Sequence, residues 1–486
     1  MKTLFLILCS IFFYVTPYLN FELFYLSWFF FIPILYLIEN NRINLIKLGL
    51  YFGIGSNLIA TYWVSSTISN LTGSNWITSS LLHLAYSTYE SIFFILVFVL
   101  TSILIKKISN LYGRYLCIIF LYILIEQSFP RIFPYKLGNT QILFNEMAQL
   151  ISIFGINMIS ILVLIFNIGL YEILFKRKIK AFYVVISIFM LAFSAGKFLH
   201  KSFNSNLDKN NNINIVVVQP VESLKDIKEI QKDIGIKKYN YDITIWPESS
   251  LSKVELKNKE DYTKFKETFS ENFTFSSNIL MLGTITQNKV GYFNSALLIN
   301  KNNEIIDVYS KNRLMIFGEY YPMQNIISKI IPIYNEFISL KKGEIKLMKG
   351  GENLNIGTII CYEDLFEDNA IKLTQLNSQI LINLTNGKWY GDSLATYQHL
   401  MLSIPRAIEN RRFLIRSTYN GVSAIISPTG EIINKISLNE KGYIDSEVTL
   451  INKKSFYSKY KSKILLTYHI IFVLLLFLFL KKFRNE

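Results

Sequence analysis

Ile356-Gly357-Thr358-Ile359-Ile360-Cys361-Tyr362-Glu363-Asp364 runs from apolar, β-branched residues straight into a cysteine and then into a polar trio. A short apolar run closed by polar residues reads as a buried strand. That strand would deliver the Cys361 sulfur to the edge of a sheet. The segment after it reads as helical, and the free N–H groups of a helix start would lower the thiol pKa and steady an oxyanion. A lone cysteine is either a buried spectator or a nucleophile, and this residue by itself leaves both open.

Similar runs surround it. Strand patterns occupy residues 213–219, 243–246, 279–285, 292–300, 380–384, 413–419 and 422–427, with helical patterns at 223–236, 259–271 and 397–412. Strands alternating with helices predict one α/β domain with a layered sheet core. The asparagine- and lysine-rich stretch 204–212 reads as a linker.

The rest of the chain is of another kind. Of the 486 residues 51% are hydrophobic, and apolar runs at 3–15, 21–37, 45–64, 79–105, 111–125, 147–175, 181–199 and 464–480 approach the length of a spanning helix. The first follows Lys2 but lacks a small-x-small cleavage site, so it reads as a retained helix rather than a signal peptide. The expected organisation is a seven-helix membrane block (1–200), a polar catalytic domain (201–463) and a C-terminal transmembrane helix with a short tail (464–486).

Basic residues cluster in alternate connections: Arg42 and Lys47; Lys106, Lys107 and Arg114; Lys176, Arg177, Lys178 and Lys180; and Lys481, Lys482 and Arg484. The positive-inside rule then puts both termini in the cytoplasm and the polar domain on the outer side. Arg131 and Lys136 fall on the outer face as an exception. The net charge of +15 is largely this flanking charge and comes with no nucleic-acid-binding motif, so no nucleic-acid partner is expected. Neither metal-ligand spacing nor a phosphate-binding glycine loop is present, so no metal or cofactor is expected. The three cysteines, at 9, 117 and 361, suggest no disulfide framework.

Two further strings carry chemistry. Trp246-Pro247-Glu248-Ser249 closes a strand, and a glutamate beside an indole and a proline ring is desolvated toward a pKa suited to proton transfer; the alternative is a solvated loop carboxylate. Tyr309-Ser310-Lys311 offers an ammonium for the charge of a tetrahedral intermediate, where most lysines are surface charges. His399, on an amphipathic helix, reads as structural.

The order glutamate, lysine, cysteine resembles the nitrilase (carbon–nitrogen hydrolase) superfamily, and the whole chain resembles the bacterial apolipoprotein N-acyltransferases. The strings that carry this are Trp246-Pro247-Glu248-Ser249, Asn294-Ser295-Ala296, Tyr309-Ser310-Lys311, Phe317-Gly318-Glu319-Tyr320, Ile360-Cys361-Tyr362-Glu363, Trp389-Tyr390-Gly391, Gln398-His399-Leu400, Arg406-Ala407-Ile408-Glu409 and Arg412. The resemblance implies an αββα sandwich behind a multi-pass helical block of eight spans. It assigns Glu248 as base and acid, Lys311 as oxyanion stabiliser and Cys361 as thioester-forming nucleophile. Glu319, Tyr362 and Glu363 would support them, and Trp389 and Tyr390 would meet substrate.

The implied reaction is ping-pong transfer of a fatty acyl chain from a glycerophospholipid to the α-amino group of a diacylglyceryl-cysteine on an apolipoprotein. It would take place at the periplasmic side of the bacterial inner membrane. Two rivals are weighed against it: a membrane-tethered amidase of the same superfamily, and a non-catalytic scaffold or transporter, for which Glu22, Glu90 and Glu172 are the charges in or near spans. The chain departs from the family pattern at Met315-Ile316, at Asn386-Gly387-Lys388 before Trp389, and downstream of Gln219-Pro220, where a tryptophan is missing.

Overall fold

The apolar runs all form helix, but not every one as a single rod. In the computed structural model, residues 1–208, 211–236, 240–322, 338–351 and 353–481 are described. Among them, seven helices are long and apolar enough to cross a membrane: Lys2–Leu19, Phe21–Glu39, Trp76–Lys107, Leu111–Ser128, Ile156–Lys176, Ile179–Ser205 and Phe456–Phe479. The expected eighth, Leu45–Ala60, is apolar but has 16 residues. At about 1.5 Å per residue it falls short of a hydrocarbon core roughly 30 Å thick. The run at 45–64 stops early because the backbone bends at Thr61 before a second helix, Trp63–Thr72.

Phe21–Glu39 is also interrupted: a 3₁₀ turn, Phe21–Trp28, meets the α-helix Phe31–Glu39 at Phe29. A break at membrane depth frees backbone polar groups that must find partners inside the protein. Asn167 meets this need, accepting from the Phe31 N–H at 2.8 Å and donating to the Ser27 carbonyl at 3.1 Å. Gly49 and Gly53 let Leu45–Ala60 lie directly on Trp76–Lys107, since a Cβ at either would sit 2.6 Å from the Cα of Ile95 or Ser91. Small residues four apart are the usual means of such close helix contact in lipid.

Arg131, the expected exception to the charge rule, is not a free charge. Its Nε lies 3.4 Å from Glu90 Oε2 and its guanidinium stacks 4.1 Å above the Phe93 ring. Glu172 likewise pairs with Lys178 at 3.1 Å, and Glu22 is exposed. Both paired cations lie in connections between helices, so the pairs staple loops to helices rather than line a path through the bundle. Lys482 and Arg484 lie outside the described residues.

The chain divides into two compact units, one holding Met1–Ser205 and the chain from Lys459 onward, the other Asn206–Ser458. The second contains thirteen strands among its described residues: β1 Asn212–Gln219, β2 Ile243–Ile245, β3 Val254–Glu255, β4 Ile279–Gln287, β5 Tyr292–Asn300, β6 Ile305–Ser310, β7 Met348–Lys349, β8 Asn355–Ile360, β9 Ile380–Asn386, β10 Leu414–Tyr419, β11 Ser423–Ile426, β12 Ile432–Ile436 and β13 Gly442–Thr449. They form two sheets, ordered β13-β1-β2-β4-β5-β6 (with β3 on β4) and β12-β11-β10-β9-β8-β7.

Strands β1, β2 and β4 run parallel, as do β8, β9 and β10. The sheets face each other through β1 against β10 and β5 against β8. Ser417 and Thr418 of β10 donate across the interface to the Val218 carbonyl and the Gln219 side chain. Helices Leu224–Ile236 and Lys259–Asn272 cover the first sheet through Ile227, Ile230, Ile234 and Phe269, and Glu367–Gln375 and Ala395–Asn410 pack on the second. The result is the expected αββα sandwich.

Candidate active site

Each chemistry-bearing residue leaves the end of a strand. β2 stops at Ile245, but the chain stays zipped to β4: the Trp246 N–H donates to the Met281 carbonyl at 2.8 Å, and that of Ser250 to Gly283 at 2.8 Å. Gly283 allows this approach, because a Cβ there would meet the Glu248 Cα at 2.5 Å. Lys311 follows β6 directly, its N–H bonded to the carbonyl of Asn294 on β5 at 2.8 Å. Cys361 follows β8 at φ +48°, a left-handed backbone that costs an L-residue about a kilocalorie or more and turns the chain sharply. Ser249, next to Glu248, carries the same signature at φ +58°.

These ends bring Glu248, Lys311 and Cys361 into one buried site, at 5%, 2% and 7% exposure. Lys311 Nζ donates to Glu319 Oε1 at 2.9 Å and lies 3.8 Å from Glu248 Oε1. Asn294 spends one amide hydrogen on Glu248 Oε1 and the other on Glu319 Oε1, each at 2.7 Å. The Asn386 N–H donates to Glu248 Oε2 at 2.7 Å. Glu319 Oε2 accepts from the Met315 N–H at 2.7 Å, so the loop after Lys311 is tied back to its own carboxylate.

Electrostatics follow from burial. Burial pushes the Glu248 carboxyl up, Lys311 pulls it down and Glu319 pushes it up again. Burial alone would lower the Lys311 ammonium, but Glu319 and Glu248 outweigh it and hold the side chain firmly charged. The Cys361 thiol is pushed well up, first by burial and then by the Glu248 charge. The expectation of a thiol pKa lowered by a helix N-terminus is therefore overturned. Cys361 opens a 3₁₀ turn, Cys361–Leu365, and the α-helix begins only at Glu367. Burial and the neighbouring Glu248 charge thus favour the neutral thiol.

Glu363 is fully buried and plays a different part. Its Oε1 accepts from the N–H groups of Asn312 at 2.7 Å and Arg313 at 2.9 Å and from the Asn369 amide at 2.9 Å; its Oε2 accepts from the Ile360 N–H at 2.8 Å; Tyr309 OH reaches both oxygens at 3.1 Å. It pins the Lys311 loop to the strand that carries Cys361. Tyr362 is buried with its ring edge-on to Phe366, 4.9 Å between centroids. The two expected substrate contacts separate: Trp389 is 46% exposed, whereas Tyr390 is buried with its ring against His399. Along the loop after Lys311, Leu314 is buried but Phe317 is 51% exposed at φ +65°. Trp246 faces the helices, against Phe269 and Phe273, so its indole is not what desolvates Glu248.

A cluster that sequence reasoning did not assemble lies behind Cys361. Asp364 accepts from His399 Nε2 and Asn383 Nδ2 at 2.7 and 2.6 Å and from Arg416, and Asn383 also donates to the Cys361 carbonyl at 3.4 Å. Its signal was available: Arg416 is the one charge inside the otherwise uncharged strand run 413–419. Asn294 stood in a quoted string without a role, since a bridge between two carboxylates has no local pattern. Arg406 and Arg412 build scaffold, the first paired with Glu409 at 2.8 Å and the second donating to the Ser378 carbonyl at 2.6 Å.

Residues 213–452 match the carbon-nitrogen hydrolase family, and residues 10–169 match the apolipoprotein N-acyltransferase N-terminal domain. The chain is similar to the apolipoprotein N-acyltransferase of Wigglesworthia glossinidia brevipalpis, 27% identical over 438 residues covering 84% of each chain. It is 34% identical over 209 residues to that of Rickettsia prowazekii (strain Madrid E), covering 42% of this chain and 41% of that one. Among solved structures it is similar to Saccharomyces cerevisiae Nit3, a member of branch 10 of the nitrilase superfamily, with 15% identity and TM-score 0.36 over 52% of this chain and 94% of that one. Both halves of one architecture are present in order, and over that length the chain is similar to the apolipoprotein N-acyltransferases.

Proposed function

We propose that this protein transfers a fatty acyl chain from a glycerophospholipid, through a thioester on Cys361, to the α-amino group of a diacylglyceryl-cysteine at the N-terminus of an apolipoprotein. In the first half-reaction Glu248 takes the thiol proton and the sulfur attacks the ester carbonyl. Lys311 Nζ, with one hydrogen on Glu319, turns another to the oxygen that becomes negative. The intermediate collapses, Glu248 returns the proton to the departing glycerol oxygen, and a lysophospholipid leaves. In the second, the amine attacks the thioester and gives a proton to Glu248. The C–S bond then breaks, the amide is complete, and the thiolate regains the proton. A thiolate serves both as nucleophile and as leaving group, which is what a two-step transfer needs.

The observation that carries this reading is the single buried site in which Glu248, Lys311 and Cys361 meet, with Asn294 and Glu319 fixing the first two. Exposed Phe317 and Trp389 would meet acyl chains, Tyr390 would hold Trp389 in place from the core, and Tyr362 and Glu363 would keep the elbow rigid. In this proposal Leu45–Ala60 and Trp63–Thr72 together make one further crossing, so that seven crossings place the unit from Asn206 to Ser458 on the periplasmic side with both termini cytoplasmic, in keeping with the basic connections. Incubation with acyl-labelled phospholipid should add one acyl mass to the intact protein, and Cys361→Ala should show none. Adding diacylated lipopeptide should move the label to the peptide. Release of free fatty acid with no N-acylated peptide would overturn the proposal in favour of a hydrolase of the same fold.

A further inference from the structure

The helical unit contains a groove that the acyl-transfer chemistry does not use. It has a volume of about 470 Å³ and lies between Leu111–Ser128, Ile156–Lys176 and Ile179–Ser205. Its walls are apolar, with Leu116, Ile119, Ile165 and Val184 among them, and its mouth carries Arg177, Lys178 and Lys180. Val185 closes the back: Gly169 leaves room for it, since a Cβ there would lie 2.0 Å from Val185 Cγ2. The volume falls in the range of small-molecule sites, roughly 300–1,000 Å³.

The cations at the mouth are not equivalent. Lys178 is committed to Glu172 at 3.1 Å, and that carboxylate also accepts from Tyr115 OH. Lys176, one residue outside the mouth, is committed to Glu39 at 2.6 Å. Arg177 and Lys180 are exposed and form no ion pair among the described residues. Arg177 caps its helix at φ +52°, which sharpens the turn to the next helix. An apolar slot below a pair of uncommitted cations matches a molecule with a fatty tail and an anionic head. Basic pockets between membrane helices are known to take such heads.

We propose that this groove binds one anionic glycerophospholipid, its acyl chain against Leu116, Ile165 and Val184 and its phosphate on Arg177 and Lys180. Lipid that merely surrounds the helices would show no preference for head group or for these two side chains. The occupant is therefore a resident lipid, distinct from any lipid consumed at Cys361.

Native mass spectrometry of the delipidated full chain tests this. The Cys361→Ala background is used so that bound lipid is not turned over. With dioleoyl-phosphatidylglycerol, the protein should retain one lipid more than with dioleoyl-phosphatidylcholine. R177Q/K180Q should weaken that retention at least tenfold, and Val184→Trp, which fills the slot but keeps the cations, should weaken it as well. A lipid held at the transfer site would be unaffected by either change, so failure here is distinguishable from failure of the proposed reaction. Equal retention of both lipids, undiminished retention in R177Q/K180Q, or displacement of phosphatidylglycerol by millimolar inorganic phosphate would each overturn the proposal.

Discussion

Glu248 and Glu363 are both buried glutamates at the same site, yet the protein treats them in opposite ways. Glu363 accepts from three backbone N–H groups, one amide and one phenol. Glu248 accepts from one amide and one backbone N–H, with the Lys311 ammonium held at 3.8 Å rather than in hydrogen-bond contact. Burial pushes both carboxyls up, but three backbone donors restrain Glu363, whereas Glu248 has a second carboxylate, Glu319, pushing the same way. A saturated carboxylate holds loops. An under-satisfied one, beside a lysine and a thiol, has capacity left for a moving proton.

The contrast breaks most visibly in activity. Cys361→Ala should abolish the adduct and reduce acyl transfer by roughly 10⁴-fold or more, as loss of a nucleophile does. Glu248→Gln should follow with a loss of about 10²–10⁴, the range for a general base. Lys311→Ala should cost about 10²–10³ in the rate of adduct formation while the protein still folds. Rapid-quench measurement of the labelled adduct checks all three; near-normal adduct formation in any of them would remove that residue from the chemistry.

Glu363→Gln should show the opposite pattern. Its amide nitrogen would face backbone donors, and hydrogen bonds to charged groups are worth about 1.5–3 kcal/mol each. Stability should fall by roughly 3 kcal/mol in a denaturation measurement, with transfer per folded molecule reduced less than tenfold. If transfer disappears while stability is unchanged, the division of labour between the two glutamates is wrong.

Much of this was legible because it is local. Eight strand patterns and three helices of the sandwich follow from period and composition, and Tyr292–Asn300 coincides with its expected bounds. β3 and β7 escaped because each is two residues long, and β6, β12 and β13 because Asp307, Asn434 with Lys435, and Asp445 with Glu447 interrupt their apolar residues. The break at Phe29 was not readable, since its cure is Asn167, 136 residues from the Phe31 N–H it accepts. The thiol pKa was misread for a related reason. A helix start can be inferred from neighbouring residues, but full burial beside a carboxylate brought in from another strand cannot. The same holds for Asn294, whose two bonds span 46 and 25 residues.

The smallest effect gives the finest test of the comparison, because one proton is read in two ways. Glu248 has a folded pKa above its unfolded value, so between the two the native state binds more protons and stability falls as pH rises. Below about pH 4.3, the ordinary glutamate value, both states are protonated and that cost is absent. Above the folded pKa it is present in full. Glu248→Gln removes the titration, so the melting temperature of the variant relative to wild type should rise as pH increases through the window and stay constant on either side of it, whatever fixed offset the lost charge and its hydrogen bonds impose. The acid limb of wild-type kcat/KM should lie in that same window, above the ordinary carboxylate range, because transfer needs Glu248 ionised. If the melting difference and the acid limb move through different pH ranges, the group that costs stability is not the group that takes the thiol proton, and Glu248 loses its place as the base.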